Sequence, residues 1–97
     1  MFTFQKANAE EITLAFDYKT RLGIANSLIS ATLTAIDTSD NSSATGTILS
    51  SSTATISGTQ AQFRVIAGTA GRRYRITQLA TMDNADIFEE QLDLVIR

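Results

Sequence analysis

Val65-Ile66-Ala67-Gly68-Thr69-Ala70-Gly71-Arg72-Arg73-Tyr74-Arg75-Ile76 is the stretch that decides how this chain folds. Apolar residues alternate up to Ala67, two glycines follow three residues apart, and alternation resumes at Tyr74 and Ile76. That order reads as strand, tight loop, strand.

Working backwards, Ala61, Phe63, Val65 and Ala67 lead into the loop, preceded by a compact turn at Ser57-Gly58-Thr59-Gln60 and a short strand through Ala54 and Ile56. Working forwards, Tyr74 and Ile76 point inward while Arg73, Arg75 and Thr77 point out, and Leu79, Ala80 and Met82 are expected to shift face near the strand's end. Asp83-Asn84-Ala85-Asp86 is a turn by composition. The last strand, Ile87 to Ile96, sets Leu92, Leu94 and Ile96 against Glu89, Gln91 and Asp93.

The first half repeats the pattern. Phe2-Thr3-Phe4-Gln5 is a short strand or docking arm, and Lys6 to Glu11 is a connector. Ile12, Leu14, Phe16 and Tyr18 share one face of a half-buried strand. Lys19 to Ser27 turns the chain, with Leu22 and Ile24 expected to plug beneath it. From Leu28 to Ile36, residues Ile29, Ala31, Leu33 and Ala35 face one way, and the threonines opposite favour strand over helix. Asp37 to Thr53 is small, polar and low in complexity, and reads as a mobile loop with a short edge strand near Ile48. About seven short strands and no long helix predict an antiparallel sandwich or small barrel.

Ninety-seven residues make one domain, residues 1–97, with one modest core. Hydrophobic content of 43% against 19% charged describes a globular chain, since a disordered one could not bury enough apolar surface. A net charge of −2 supplies no footprint for nucleic acid, whose affinity comes largely from neutralised phosphates. No apolar run approaches the roughly 18 residues needed to span a bilayer. The start, Met1-Phe2-Thr3-Phe4-Gln5-Lys6, lacks the apolar core of a signal peptide, which predicts synthesis in a cytoplasm.

Catalysis is poorly supplied. The chain has no histidine and no cysteine, so its many serines lack a base and zinc lacks its usual ligands. Glu89 and Glu90, adjacent on a strand, point to opposite faces and do not form an acid-base pair. Asp37, Asp40 and Asn41, and also Asp83, Asn84 and Asp86, are turn residues at spacings unlike a calcium loop. The expectation is no catalytic, cofactor-binding or metal-binding residues, no cofactor and no small-molecule substrate. Arg64, Arg72, Arg73 and Arg75 lack interleaved aromatics for nucleic acid; cross-strand pairing with Glu89 and Asp93 accounts for them, with docking on an acidic partner as the alternative. The chain has no proline, so its edges lack one of the usual guards against pairing with other chains.

In order, Phe4-Gln5-Lys6, Phe16-Asp17-Tyr18 with Leu22, Ile29-Ser30-Ala31, Gly68 to Ile76, Thr81 and Leu92-Asp93-Leu94-Val95-Ile96 resemble the fiber-tail adaptor proteins of tailed bacteriophages. The chain departs from that pattern at Ala7-Asn8-Ala9, at Tyr18 and Leu33, at Ala67-Gly68 and at Asn84-Ala85-Asp86. The resemblance implies an immunoglobulin-like antiparallel β-sandwich. It also implies a non-enzymatic virion component, made in the host cytoplasm, that links tail or neck to fibres. Its partners would be other tail, neck or fibre proteins, met by multiple copies in a symmetric assembly. The polarity and weak internal anchoring of Asp37–Thr53 and of the arm Met1–Lys6 make these the segments expected to order on a neighbour. The alternative is a small carbohydrate-binding or adhesion sandwich.

Tyr74 offers a test. In Greek-key sandwiches a tyrosine at this place fills the core with its ring and bonds back to upstream backbone; the alternative is an ordinary half-exposed strand tyrosine. Tyr74→Phe should cost about 1–2 kcal/mol by leaving a group of the Gly68–Ala70 backbone unpaired. An unchanged chemical-denaturation midpoint would refute the corner.

Overall fold

The computed structural model describes residues 2–7, 9–18, 27–83 and 85–97. The all-β expectation holds. Eight strands among these residues are β1 (Phe2–Lys6), β2 (Ile12–Asp17), β3 (Leu28–Asp37), β4 (Ser42–Ser43), β5 (Thr55–Ser57), β6 (Gln60–Val65), β7 (Arg73–Met82) and β8 (Ile87–Ile96). A single helical turn, α1 (Thr45–Ile48), lies between β4 and β5. One sheet runs β1-β8-β7-β3-β4 and the other β2-β6-β5. Neither closes on itself.

Side chains alternate across each strand, so one face of every strand can be apolar. Ala31, Leu33 and Ala35 of β3, Tyr74, Ile76, Ala80 and Met82 of β7, and Leu92, Leu94 and Ile96 of β8 are buried. From the smaller sheet, Phe16, Ala61, Phe63 and Val65 join the same cluster, and Ile12, Leu14 and Ile56 pack against it partly covered. Phe16 and Phe63 stack with centroids 5.5 Å apart, a geometry worth about 0.5–1.5 kcal/mol beyond area burial.

Tyr74 is buried, and the Thr69 N–H donates to its hydroxyl oxygen at 3.1 Å. The corner read from the sequence is therefore present. Gly68 permits it: its φ is +132°, and an added Cβ would lie 2.7 Å from Ile96 Cδ1. The backbone passes over β8 with no room for a side chain.

Several expectations need correction. The sheets are not wholly antiparallel, because β1 pairs with β8 in parallel, Phe2 beside Leu92 and Lys6 beside Ile96. No hairpin joins these two strands, so no turn imposes their direction. Ile29 does not share a face with Ala31. The register slips between Leu28 and Ser30, which sends Leu28 inward and leaves Ile29 57% exposed. Nor does β7 shift face near its end; alternation continues through Gln78, whose inward place is 0% exposed. The Tyr18 hydroxyl donates to Gln78 Oε1 at 2.7 Å, bridging the sheets. Among the described residues no acceptor meets Gln78 Nε2. Lys6, expected at the head of a connector, is 0% exposed at the end of β1, its Nζ donating to the Ala7 carbonyl.

Asp37–Thr53 is anchored rather than loose. Ile48 sits on α1 rather than a strand, and Ala44, Ile48 and Leu49 are all buried. Leu49 bridges to Val65 and Thr53 to Thr32, while Ala44 and Ala54 donate main-chain bonds to Ala35 and Ala31. This segment seals the outer edge of β3. The Lys19–Ser27 turn lies almost wholly outside the described residues, as do its Leu22 and Ile24. Asp83 and Ala85–Asp86 do turn the chain, with the Met82 N–H donating to the Asp86 carbonyl.

Two glycines separate crowding from backbone strain. Gly71, with φ at +87°, would present a Cβ to open space. Gly68→Ala should cost about 2–4 kcal/mol, since it adds a clash to an unfavourable φ. Gly71→Ala should cost about 1 kcal/mol. Equal losses in denaturant titrations would show that Ile96 yields without cost.

Candidate assembly surface

The arginines come first, because they are the densest charge in the sequence. Arg73 and Arg75 point out of β7, opposite Val95 and Asp93 of β8. Asp93 takes both, with Arg75 Nε at 3.2 Å and Arg73 Nη1 at 3.8 Å, and is almost covered by them. Glu89, expected beside it, accepts a bond from Gln91. Arg72 reaches in another direction: its Nη1 donates to Asp37 Oδ2 at 2.6 Å and to Ser39 Oγ at 2.8 Å. That pair joins the loop after β3 to the loop before β7, residues 35 apart, and the sequence held no periodic signal for it.

Asp37 and Asp40 are committed to their own turn. Asp37 Oδ1 accepts from the Ser39 N–H and hydroxyl, and Asp40 Oδ1 accepts likewise from Ser42. The Ser39 bonds, with Arg72 adding its charge, hold the Asp37 carboxyl below the usual carboxylate range. Asp37 in turn raises Arg72, and the Ser42 bonds lower Asp40. With a guanidinium on Asp37, this loop has the character of an internal clasp rather than a cation cage. No group of three or more acidic, histidine or cysteine side chains suited to a metal occurs among the described residues. Glu89 faces out while Glu90 turns inward and is half-buried, so the two acids stay on opposite faces as read.

What remains for interaction is main chain and apolar surface. Along β2, the Tyr18 N–H donates to the Thr59 carbonyl at 2.9 Å. Antiparallel ladders alternate, so Ile12, Leu14 and Phe16 direct their main-chain groups toward β6 and Thr13 and Ala15 direct theirs away. Among the described residues nothing pairs with the other edge of β2, whereas β6 is occupied on both sides, by β2 and by β5 with residues 48–50. Over β6, on the side toward β5, lies a hollow of about 270 Å³ lined by Thr13, Ser50, Ser51, Thr55, Gln62 and Arg64, among others. The Arg64 guanidinium lies across β2, 3.3 Å from Thr13 Oγ1 and 3.5 Å from Glu11 Oε1. Elsewhere, the exposed large hydrophobics among the described residues, Ile29, Leu79 and Ile87, gather at one end of the larger sheet's outer face. No helix among the described residues is long and apolar enough to cross a membrane.

A family model described as "Podophage GP4 fiber-tail adaptor protein gp77" matches residues 6–95. No curated protein matches the chain.

The Arg72–Asp37 clasp makes a pH prediction. A carboxyl whose folded pKa is depressed contributes stability above its unfolded value, about 3.9, and loses it as pH falls through the folded value. Asp37→Asn should therefore lower the denaturation midpoint at pH 7, with the gap to wild type closing between about pH 5 and pH 2. A gap of constant size across that range would assign Asp37 some role other than its charge.

Proposed function

The chain belongs to the podophage fiber-tail adaptor protein family, and from that premise we propose that it is a non-enzymatic virion part joining phage tail or neck to fibres through protein–protein contacts. The match to residues 6–95 carries the reading, since it spans both sheets and the loops between them. The internal chemistry agrees with it. Acidic side chains secure turns and cross-strand pairs, as Asp37, Asp40 and Asp93 do.

On this reading the chain is made in the host cytoplasm and resides in the particle in several symmetric copies, because an attachment site is repeated as often as the fibres it holds. The fold would be an immunoglobulin-like sandwich. Its support is the single core shared by two inward faces and the tyrosine corner at Thr69 and Tyr74. The carbohydrate-binding alternative gains little from the aromatic side chains among the described residues. Phe16, Phe63, Tyr18 and Tyr74 are buried, and Phe4 and Phe88 are partly covered by packing against the core, which spends most of the described aromatic surface inside the protein.

The adaptor reading is tested in particles. Mass spectrometry of purified virions should find the chain at a fixed multiple of the tail proteins. Virions grown without it should lose their fibres and keep their capsids. Particles that retain a full set of fibres without the chain would overturn the proposal.

A further inference from the structure

We infer that the β2 edge is a docking site for one extended segment of a neighbouring virion protein, which adds beside β2 as a further strand and alternates apolar with acidic side chains. That the neighbour is a virion protein rests on the adaptor reading; the chemistry of the segment rests on the edge itself.

Three observations converge on Ile12–Ala15. The first is main chain. Thr13 and Ala15 direct their N–H and C=O groups away from β6, and a strand alongside would satisfy all four. The far side of the molecule is treated differently: Ala44, residues 52–54 and the β4 pairing occupy the outer edge of β3. β1 is an edge as well, with the Thr3 and Gln5 groups facing away from β8, so the choice of β2 rests on the two observations that follow.

The second observation is apolar. Ile12 and Leu14 lie on the inward face and pack against the core, yet stay only partly covered, unlike Phe16 on the same strand. Side chains opposite them on an added strand would complete that cover, which calls for apolar residues at alternate positions.

The third is charge. Arg64 belongs to β6, but its guanidinium reaches over to β2, donating to Thr13 Oγ1 on the edge strand. Its contact with Glu11 is 3.5 Å long, and both side chains are about half exposed, at 47% and 56%. Such a pair is weak and exchangeable. A carboxylate on the added strand, opposite Thr13 on the outer face, would sit within reach of the same guanidinium and pair with it in bidentate fashion.

The test uses the intact chain labelled with nitrogen-15 and two synthetic hexapeptides, alternating Val-Glu and alternating Val-Lys. At millimolar Val-Glu peptide the Thr13 and Ala15 amides should shift downfield and exchange at least tenfold more slowly, with Val-Lys binding several-fold more weakly. Arg64→Ala should remove that preference. Ala15→Pro removes an N–H that points out of the sheet, a place where edge strands tolerate proline. It should keep the melting temperature and abolish binding; should it unfold instead, Thr13→Pro serves the same purpose. The inference fails if neither amide responds, if Ala15→Pro binds as well as wild type, or if the free chain protects both amides by self-association. The titration contains no virion component, so its failure leaves the adaptor reading intact, and fully fibred particles lacking the chain would remove that reading without touching the edge.

Discussion

β7 has a strand on each side for its whole length, β8 along one edge and β3 along the other. Its main-chain groups are therefore committed throughout, and its side chains divide the molecule into an inside and an outside. Tyr74, Ile76, Gln78, Ala80 and Met82 turn to the core, and Arg73, Arg75, Thr77, Leu79 and Thr81 turn away. A slip of one residue would bury the arginines, and desolvating them would cost more than any contact regained. The corner at Gly68 and Tyr74, the Arg72 clasp and the Asp93 pairs are all positioned by where β7 begins.

The alternation of Ile12–Phe16, Ala31–Ala35, Tyr74–Ile76 and Leu92–Ile96 was legible because a period of two on a half-buried sheet is a local signal. Tyr74 was legible because its partner lies five residues away. Legibility failed where the deciding partner was distant or polar. Ile29 broke pattern through a bulge in its pairing with β7. Gln78 broke it because a buried amide is tolerable only opposite Tyr18, sixty positions earlier. The segment around Ile48 read as a mobile loop with a short edge strand, because the surrounding serines and threonines hid how firmly Ile48 and Leu49 hold it. The bare edge of β2 was the least legible feature. Absence of proline hinted at open edges in general, but only the strand order shows which strand is last.

Charge is spent economically in this chain. Asp93 serves two arginines, Asp37 serves a serine and an arginine, and the exposed pairs Arg64–Glu11 and Arg97–Glu10 are long. The first two hold loops and strands in place; the exposed ones cost little to break. For a protein whose task is attachment, that division is useful. The scaffold keeps its charges partly shielded, and the loosely paired ones lie where a partner can claim them.

The parallel pairing of β1 with β8 has a mechanical side. A load entering at Phe2 and leaving at Ile96 would pull these two strands past each other along their length, because they run in the same direction. All of their hydrogen bonds would then share the load at once instead of opening one after another as a zipper does. Lys6, enclosed at the far end of β1, and the Arg97 N–H bound to its carbonyl close the pair at the point where sliding would begin to show. The β1–β8 pair thereby resists a pull along its own strands, the direction in which a tether between two larger bodies is stretched.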